Sequence, residues 1–153
     1  FGEFEEKYKK SFQIEFSIDY IQEDLFIGYA KYNYELLKKL FDNLLRNSRD
    51  HAFSNYGSIS KNLVSVLITV DAEEDSITIC YRDNGKGFPD HFTRDDFITL
   101  GRSNTGVMGR GEGGANIHEI AKFHENENWQ LNTHPNSNFS TEFIFNLKPT
   151  FYE

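Results

Sequence analysis

The chain is 153 residues long, 38% hydrophobic and 26% charged, which suits one globular domain and excludes both a disordered tail and a protein with two cores. Acidic side chains outnumber basic ones 24 to 16, for a formal charge of -8, which argues against general binding to a nucleic-acid backbone and leaves room for one phosphorylated ligand in a local pocket. The single cysteine, Cys80, excludes an internal disulfide and a cysteine-based zinc site, and no run approaches the ~18 apolar residues of a membrane-spanning helix or the layout of a signal peptide.

Residues 1–11 are polar and charged and read as a linker or frayed lead-in. From Phe12 the pattern alternates, with Phe12, Ile14, Phe16 and Ile18 on one side and Gln13, Glu15, Ser17 and Asp19 on the other, which predicts a half-buried strand. Residues 25–30 form a second, short strand candidate, and Asn33 is placed to cap the helix that begins after it. Over residues 34–53 the period becomes helical, with Leu37, Leu40, Phe41, Leu44, Leu45 and Ser48 in one stripe. After a polar loop with Gly57 come two alternating runs, Val64 to Val70 and Ile77 to Tyr81. The acidic turn between them predicts an antiparallel hairpin. A short helix is expected near residues 93–100 and a longer one over 115–124. Two closing strands are expected at 129–133 and 141–147, joined by a turn at Pro135.

The long middle segment, residues 83–114, holds eight of the 11 glycines. Glycine permits close backbone approach, and a helix starting just beyond offers free N–H groups and the positive end of its dipole. The expectation is an anion site, phosphate above all, under a mobile loop. The run from Gly109 to Gly114 matches GxGxxG, yet no hydrophobic strand precedes it, which rejects a dinucleotide-binding unit; a Walker A loop is absent. Asp83-Asn-Gly-Lys-Gly87 comes directly after a strand, where an Asp can accept from a ligand amine or an Asn-Gly pair can simply turn the chain. Asn43, Asn47 and Asp50 lie along the long helix, either as a polar line able to hold Mg²⁺ through water or as a solvated face.

In this order, the three motifs resemble the GHKL ATPase superfamily of gyrase, Hsp90, histidine kinases and MutL. LFDNLLRNSRDHA (residues 40–52) looks like its N box, RDNGKGFP (82–89) its G1 box and GRGEGGANI (109–117) its G2 box. FSTEFIFNLKP (139–149) is similar to the closing strand, and the resemblance spans about residues 12–149. It implies a Bergerat-type two-layer α/β sandwich: a mixed, mainly antiparallel sheet with helices on one face and an ATP lid. Residues 1–11 would be a linker and 12–153 the ATP-binding domain.

The resemblance also implies roles. Asn47 would ligate Mg²⁺ between the phosphates, and Asp83 would accept from the adenine 6-amino group. Gly85 and Gly87 would shape the adenine pocket, with Thr141 supporting the Asp83 contact. Gly109, Gly111, Gly113 and Gly114 would let the lid backbone close over the phosphates. Residues 88–108 would form the lid, placing Phe88, Leu100, Gly101 and Arg102 beside nucleotide, and Arg102 and Arg110 would meet phosphate oxygens or remain solvated. Asp50 and His51 would border the site from the long helix.

Hydrolysing branches of the superfamily carry a Glu one turn before the metal Asn as general base. Here Asn43 stands there and cannot act as a base, which favours the histidine-kinase branch. Departures are Ser48, where Ala is commoner, Gly113-Gly114-Ala115, where Gly-Leu is usual, and the insertion-like stretch 105–108. No His among His51, His91, His118, His124 and His134 sits on a dimerisation helix pair. His118-Glu119 resembles an acceptor motif only superficially, and Lys122 replaces the second His of a zinc-protease motif. The expected function is therefore binding of Mg-ATP and donation of its γ-phosphoryl group to a histidine on a dimerisation domain elsewhere in a longer polypeptide, with a response regulator downstream. The chain alone would not autophosphorylate. It would be cytoplasmic, with any membrane anchor in the parent chain, and its partners would be ATP or ADP rather than nucleic acid or membrane. The alternatives are a hydrolysing clamp using a base such as Asp42, or a non-catalytic nucleotide-binding module.

Overall fold

The computed structural model describes residues 2–19, 34–53, 61–71, 76–89, 91–103, 112–123 and 129–147. In chain order these form α1 (Gly2–Tyr8), β1 (Gln13–Asp19), α2 (Tyr34–Asn47), a π-helical turn (Ser48–Ala52), β2 (Leu63–Asp71), β3 (Ser76–Asp83), α3 (Arg94–Ser103), α4 (Glu112–Phe123), β4 (Gln130–Thr133) and β5 (Thr141–Leu147). The expected strand at 25–30 and the Asn33 cap lie outside the described residues.

The five strands form one sheet in the order β1-β2-β3-β5-β4. β1 runs parallel to β2 and the other neighbours pair antiparallel, so the sheet is mixed and mainly antiparallel as expected. The alternation of β2 and β3 explains which face is covered. Val64, Val66, Ile68, Ile77, Ile79 and Tyr81 are fully buried, and Phe143, Phe145 and Leu147 of β5 continue the same face. On the opposite face Arg82 pairs with Glu142 at 2.6 Å, and Asn132 donates to the same carboxylate.

α2 lays its predicted stripe on the covered face; Leu44 and Leu45 are completely buried. α4 packs against both α2 and α3 through Ile117, Ile120 and Ala121. α3 begins with a reciprocal cap, in which Thr93 Oγ1 accepts from the Asp96 N–H at 3.1 Å and Asp96 Oδ2 accepts from the Thr93 N–H at 2.9 Å. It buries Phe97 and Ile98, and Phe97 meets Trp129 and Phe143.

Two features depart from the sequence expectation. Residues 2–8, expected as part of a linker or lead-in, form α1. A seven-residue helix is unstable alone, so this one depends on docking. Phe4 packs on Phe41, Tyr8 stacks on Phe12, and the Asp42 carboxylate accepts from Lys7 Nζ at 2.7 Å and the Tyr8 hydroxyl at 2.8 Å. Tyr8→Phe is expected to cost about 1–2 kcal/mol and to lower the melting temperature by a few degrees, because it removes a buried bond to a charged acceptor. An unchanged melting curve would mean that α1 docks by apolar packing alone. Second, the long helix is not one α-helix through residue 53. It changes at Ser48 into a π turn closed by the Phe53 N–H donating to Ser48 O at 2.9 Å.

Candidate functional site

The register of the sheet places the first site residue. Asp83 is the last residue of β3 and falls on the covered face, opposite Val64 of β2 and Thr141 of β5. Both Asp83 and Thr141 are buried, at 1% and 2% exposure. The end of a core strand has thus carried a carboxylate into the edge of the hydrophobic core.

That carboxylate is held from two sides. Ser48, completely buried at the start of the π turn, donates to Asp83 Oδ2 at 2.9 Å, and the Gly85 N–H donates to Oδ1 at 3.2 Å. Behind Ser48 stands the Tyr81 hydroxyl, 2.7 Å from Ser48 Oγ and 3.2 Å from the carbonyl of Leu44. Burial pushes the Asp83 pKa up to about 6, against the pull of the bonds from Ser48 and Gly85 that favour the anion. Burial likewise raises Tyr81 well above the usual phenol range.

The loop after β3 locks onto the π turn. The Lys86 N–H donates to Ala52 O at 3.0 Å, and a β-carbon on Gly85 would lie 2.4 Å from Ala52 Cβ. Only glycine fits there. Gly87 has a φ of +74°, which also favours glycine. Ser140 ties the loop to β5: its Oγ donates to Gly85 O at 2.7 Å and its N–H to Asp83 O at 3.0 Å.

Asp83 and Thr141 open onto a cavity of about 320 Å³, in the lower range for small-molecule sites. Asn47, His51 and Ala52 form its helical wall, and Lys86, Gly87 and Phe88 the wall after β3. Pro89 and Phe92 complete it. Phe88 stacks on Phe92 at 4.6 Å and meets Phe97 edge-on at 5.7 Å, so the aromatic side of the cavity is anchored in the core by α3.

Among the expected site residues, Asn47, His51, Asp83, Gly87, Phe88 and Thr141 meet on this one cavity, with Gly85 beneath it. Asn43 and Asp50 do not line it. Asn43 is buried and donates from Nδ2 to Lys39 O at 2.7 Å, one turn back in its own helix. Asp50 is paired with Arg49 at 2.8 Å. The line Asn43–Asn47–Asp50 assumed a regular α-helix; the π turn alters the angular step after Asn47 and turns Asp50 away, while His51, four residues on, stays on the wall with Asn47. Leu100, Gly101 and Arg102 fall in α3, and Gly113 and Gly114 in the first turn of α4, without described side-chain positions. Gly109, Arg110 and Gly111 lie outside the described residues. The cavity also uses Lys86 and Ala52, to which the sequence assigned no role, and Pro89 and Phe92, expected only as part of the 88–108 lid. Lys86 and Pro89 lie within the quoted G1 motif and Ala52 ends the N motif, whereas Phe92 carries no local signal.

Asp42, the alternative base, faces away from this wall, among Lys7, Tyr8 and Arg46. Burial alone would raise its pKa, but the bonds from Lys7, Tyr8 and Arg46 outweigh it and leave the carboxyl below its usual range. A carboxylate so well satisfied is a weak proton acceptor. The described residues contain no group of three or more His, Cys, Asp or Glu able to hold a metal ion among themselves. Asn47 lines the cavity, and its amide oxygen is a neutral ligand of the kind Mg²⁺ accepts when phosphates supply the negative charge.

A mixed sheet covered on one face by helices, with a buried aspartate at a strand end opening on a cavity beside a helical asparagine, defines a two-layer α/β sandwich of the Bergerat type. Residues 32–150 match the family described as histidine kinase-, DNA gyrase B-, and HSP90-like ATPase, and the chain belongs to that family. The fold is similar to the nucleotide-free catalytic domain of histidine kinase ThkA (19% identity, 97% of this chain and 87% of that one, TM-score 0.62). It is also similar to the mycobacterial sensor histidine kinase MprB (17% identity, 95% and 90% covered, TM-score 0.56). The histidine kinase domain of the blue-light activated kinase EL346 from Erythrobacter litoralis aligns with TM-score 0.52 and 18% identity, covering 89% of this chain. The chain spans about half of that domain, 52%, and 40% of the longer EL346 chain. No curated protein matches the sequence. Among the described residues, no helix is long and apolar enough to cross a membrane.

Proposed function

We propose that this domain binds Mg-ATP and donates the γ-phosphoryl group to a histidine on a dimerisation domain outside the chain, in a cytoplasmic two-component system with a response regulator downstream. The observation that carries the proposal is the Asp83 carboxylate, buried at a strand end and held by Ser48 and Gly85 in the wall of a cavity that also presents Asn47. Asp83 accepts the exocyclic amine of adenine. Phe88 and Phe92 offer apolar surface to the base, while Gly85 and Gly87 let the backbone approach it. Thr141 supports the amine contact from β5, and Asn47 holds the metal through its amide oxygen. Magnesium, when bound, neutralises phosphate charge; the protein's share is positioning. Arg102, Arg110 and the lid and G2 glycines complete the phosphate end in this reading.

Phosphoryl donation is favoured over hydrolysis by two observations. The Asn43 amide is engaged with Lys39 O, and Asp42 is tied down by α1 away from the cavity. Neither is available as a base for water.

Asn47→Ala is expected to weaken ADP binding in the presence of Mg²⁺ by about 10- to 100-fold, and to leave binding without the metal nearly unchanged. Isothermal titration with and without Mg²⁺ checks this; an unaltered Mg²⁺ dependence would remove Asn47 from the metal site. Phosphotransfer is tested by mixing the chain with the parent's dimerisation domain and ATP labelled at the γ position. Binding without transfer would leave a nucleotide-binding module.

A further inference from the structure

Asp83 does not end its hydrogen bonding at Ser48. The buried chain continues from Asp83 Oδ2 to Ser48 Oγ at 2.9 Å, to Tyr81 Oη at 2.7 Å and to the Leu44 carbonyl at 3.2 Å. Ser48 and Tyr81 are both completely buried, so the two hydroxyl protons have only these partners to choose from. Two orderings satisfy every group. With Asp83 ionised, Tyr81 donates to Ser48 and Ser48 donates to Oδ2. With a proton on Oδ2, the carboxyl donates to Ser48, Ser48 to Tyr81, and Tyr81 to Leu44 O, which is the final acceptor the second ordering needs. In both, Oδ1 carries no proton, takes the Gly85 N–H and remains an acceptor.

We propose that Ser48 and Tyr81 are positioning residues that keep any proton of the Asp83 carboxyl on the oxygen turned away from ligand, and so restrict the site to purines carrying an amine rather than a carbonyl at position 6. The inference rests on the nucleotide-binding reading and adds a determinant of base specificity. A 6-amino group donates to Oδ1 in either ordering. A 6-oxo group meets an acceptor in both and gains a partner only when a proton moves to Oδ1. An unpaired buried acceptor of this kind is what gives a hydrogen-bonding site its power to reject an analogue. The ordering matters near neutrality because burial holds the Asp83 pKa at about 6, so both states are populated there.

The groups around the carboxyl come from every neighbouring element. Tyr81 faces it from β3, Ser48 from the π turn and Thr141 from β5. His51 and Lys86 stand on the cavity wall, and His134 lies beyond Gly87, its Cε1 3.5 Å from where a β-carbon there would sit. These groups are common to wild type and to a Ser48 variant, so their titration cancels when the two are compared.

The test is titration of the 153-residue chain with ADP and with inosine diphosphate at about pH 5.5 and about pH 8. Wild type is expected to keep the same preference for ADP at both. Ser48→Ala deletes the internal acceptor, so at the lower pH its preference should fall by about tenfold or more, while at the higher pH it stays within about twofold of wild type. Tyr81→Phe, which removes the next link and keeps the ring, should shift the ratio in the same direction and serves if Ser48→Ala does not fold. A ratio unchanged at the lower pH in the folded variants overturns the proposal. So does an equal fall at both pH values, which is the signature of a packing defect. Failure of wild type to bind ADP at all would instead overturn the nucleotide-binding reading beneath it.

Discussion

Asp83→Asn is expected to weaken ADP binding while leaving the domain at least as stable as wild type at pH 7. The side chain is 1% exposed, and in the proposed reading its carboxylate is the acceptor for the 6-amino group. The Gly85 N–H and Ser48 hold an amide with its oxygen at the Oδ1 position, so a neutral acceptor replaces a charged one, which should cost about tenfold in affinity. Stability moves the other way. Folding raises the Asp83 pKa from 3.8 to about 6, chiefly through burial. Between those values the folded state holds a proton that the unfolded state has released, so this group's contribution falls as pH rises from about 4 to about 6 and is unfavourable and level above that. The cost at pH 7 is on the order of 3 kcal/mol, and the neutral amide removes most of it. Thermal melting at pH 7 and at about pH 3.5 checks the sign: the variant's advantage should be present at the first and nearly vanish at the second, where the carboxyl is mostly protonated in both states. A variant melting well below wild type at pH 7 would make Asp83 a structural residue. Retention of a costly buried charge is what a binding site, rather than a core, requires.

Gly85→Ala is expected to damage fold and site together. Its β-carbon would lie 2.4 Å from Ala52 Cβ and 2.6 Å from Ala52 O, so the loop after β3 and the π turn must separate. Overpacking of this kind costs about 1–3 kcal/mol, which for a chain of this size lowers the melting temperature by roughly 2–12 °C. Separation also breaks the Lys86 N–H bond to Ala52 O and displaces the Gly85 N–H from Asp83, so ADP affinity should fall as well. A double-mutant cycle with Ala52→Gly separates the two parts of the clash, since it removes the Cβ contact and leaves the β-carbon 2.6 Å from Ala52 O. Partial recovery of stability in the pair measures the side-chain part, and strict additivity would place the whole cost on the backbone contact.

Much of this was legible because it is local. Alternation in Val64 to Val70 and Ile77 to Tyr81 reads directly as a hairpin with one covered face, since side chains alternate across a strand. The stripe Leu37 to Leu45 reads as a helix on a core for the same kind of reason. The glycines near Asp83 mark a backbone that must pass close to something; that Ala52 is what they approach emerges only when the π turn is packed against the loop. α1 was not legible, because seven mostly polar residues carry too little period to announce a helix whose partners, Phe41 and Asp42, come more than 30 residues later. His51, four residues after Asn47, was legible on the same helical face, whereas the absence of Asp50 from the cavity wall follows from the π turn, which no spacing in the sequence reveals.

Sequence by itself determined the five described strands, the main helix and the family, because periodicity and ordered glycine motifs are written in neighbouring residues. Tertiary structure decided the state of the groups within the site. Ser48 reaches Asp83 across 35 positions and Tyr81 reaches Ser48 across 33, and only the packing of α2 on the sheet brings the three hydroxyl and carboxyl groups into one buried chain. The same packing removes Asp42 from the cavity and turns the Asn43 amide back onto its helix. Burial and hydrogen bonding, which set the charge of Asp83 and the idleness of Asp42, are properties of what surrounds a residue, and those surroundings are assembled from distant parts of the chain.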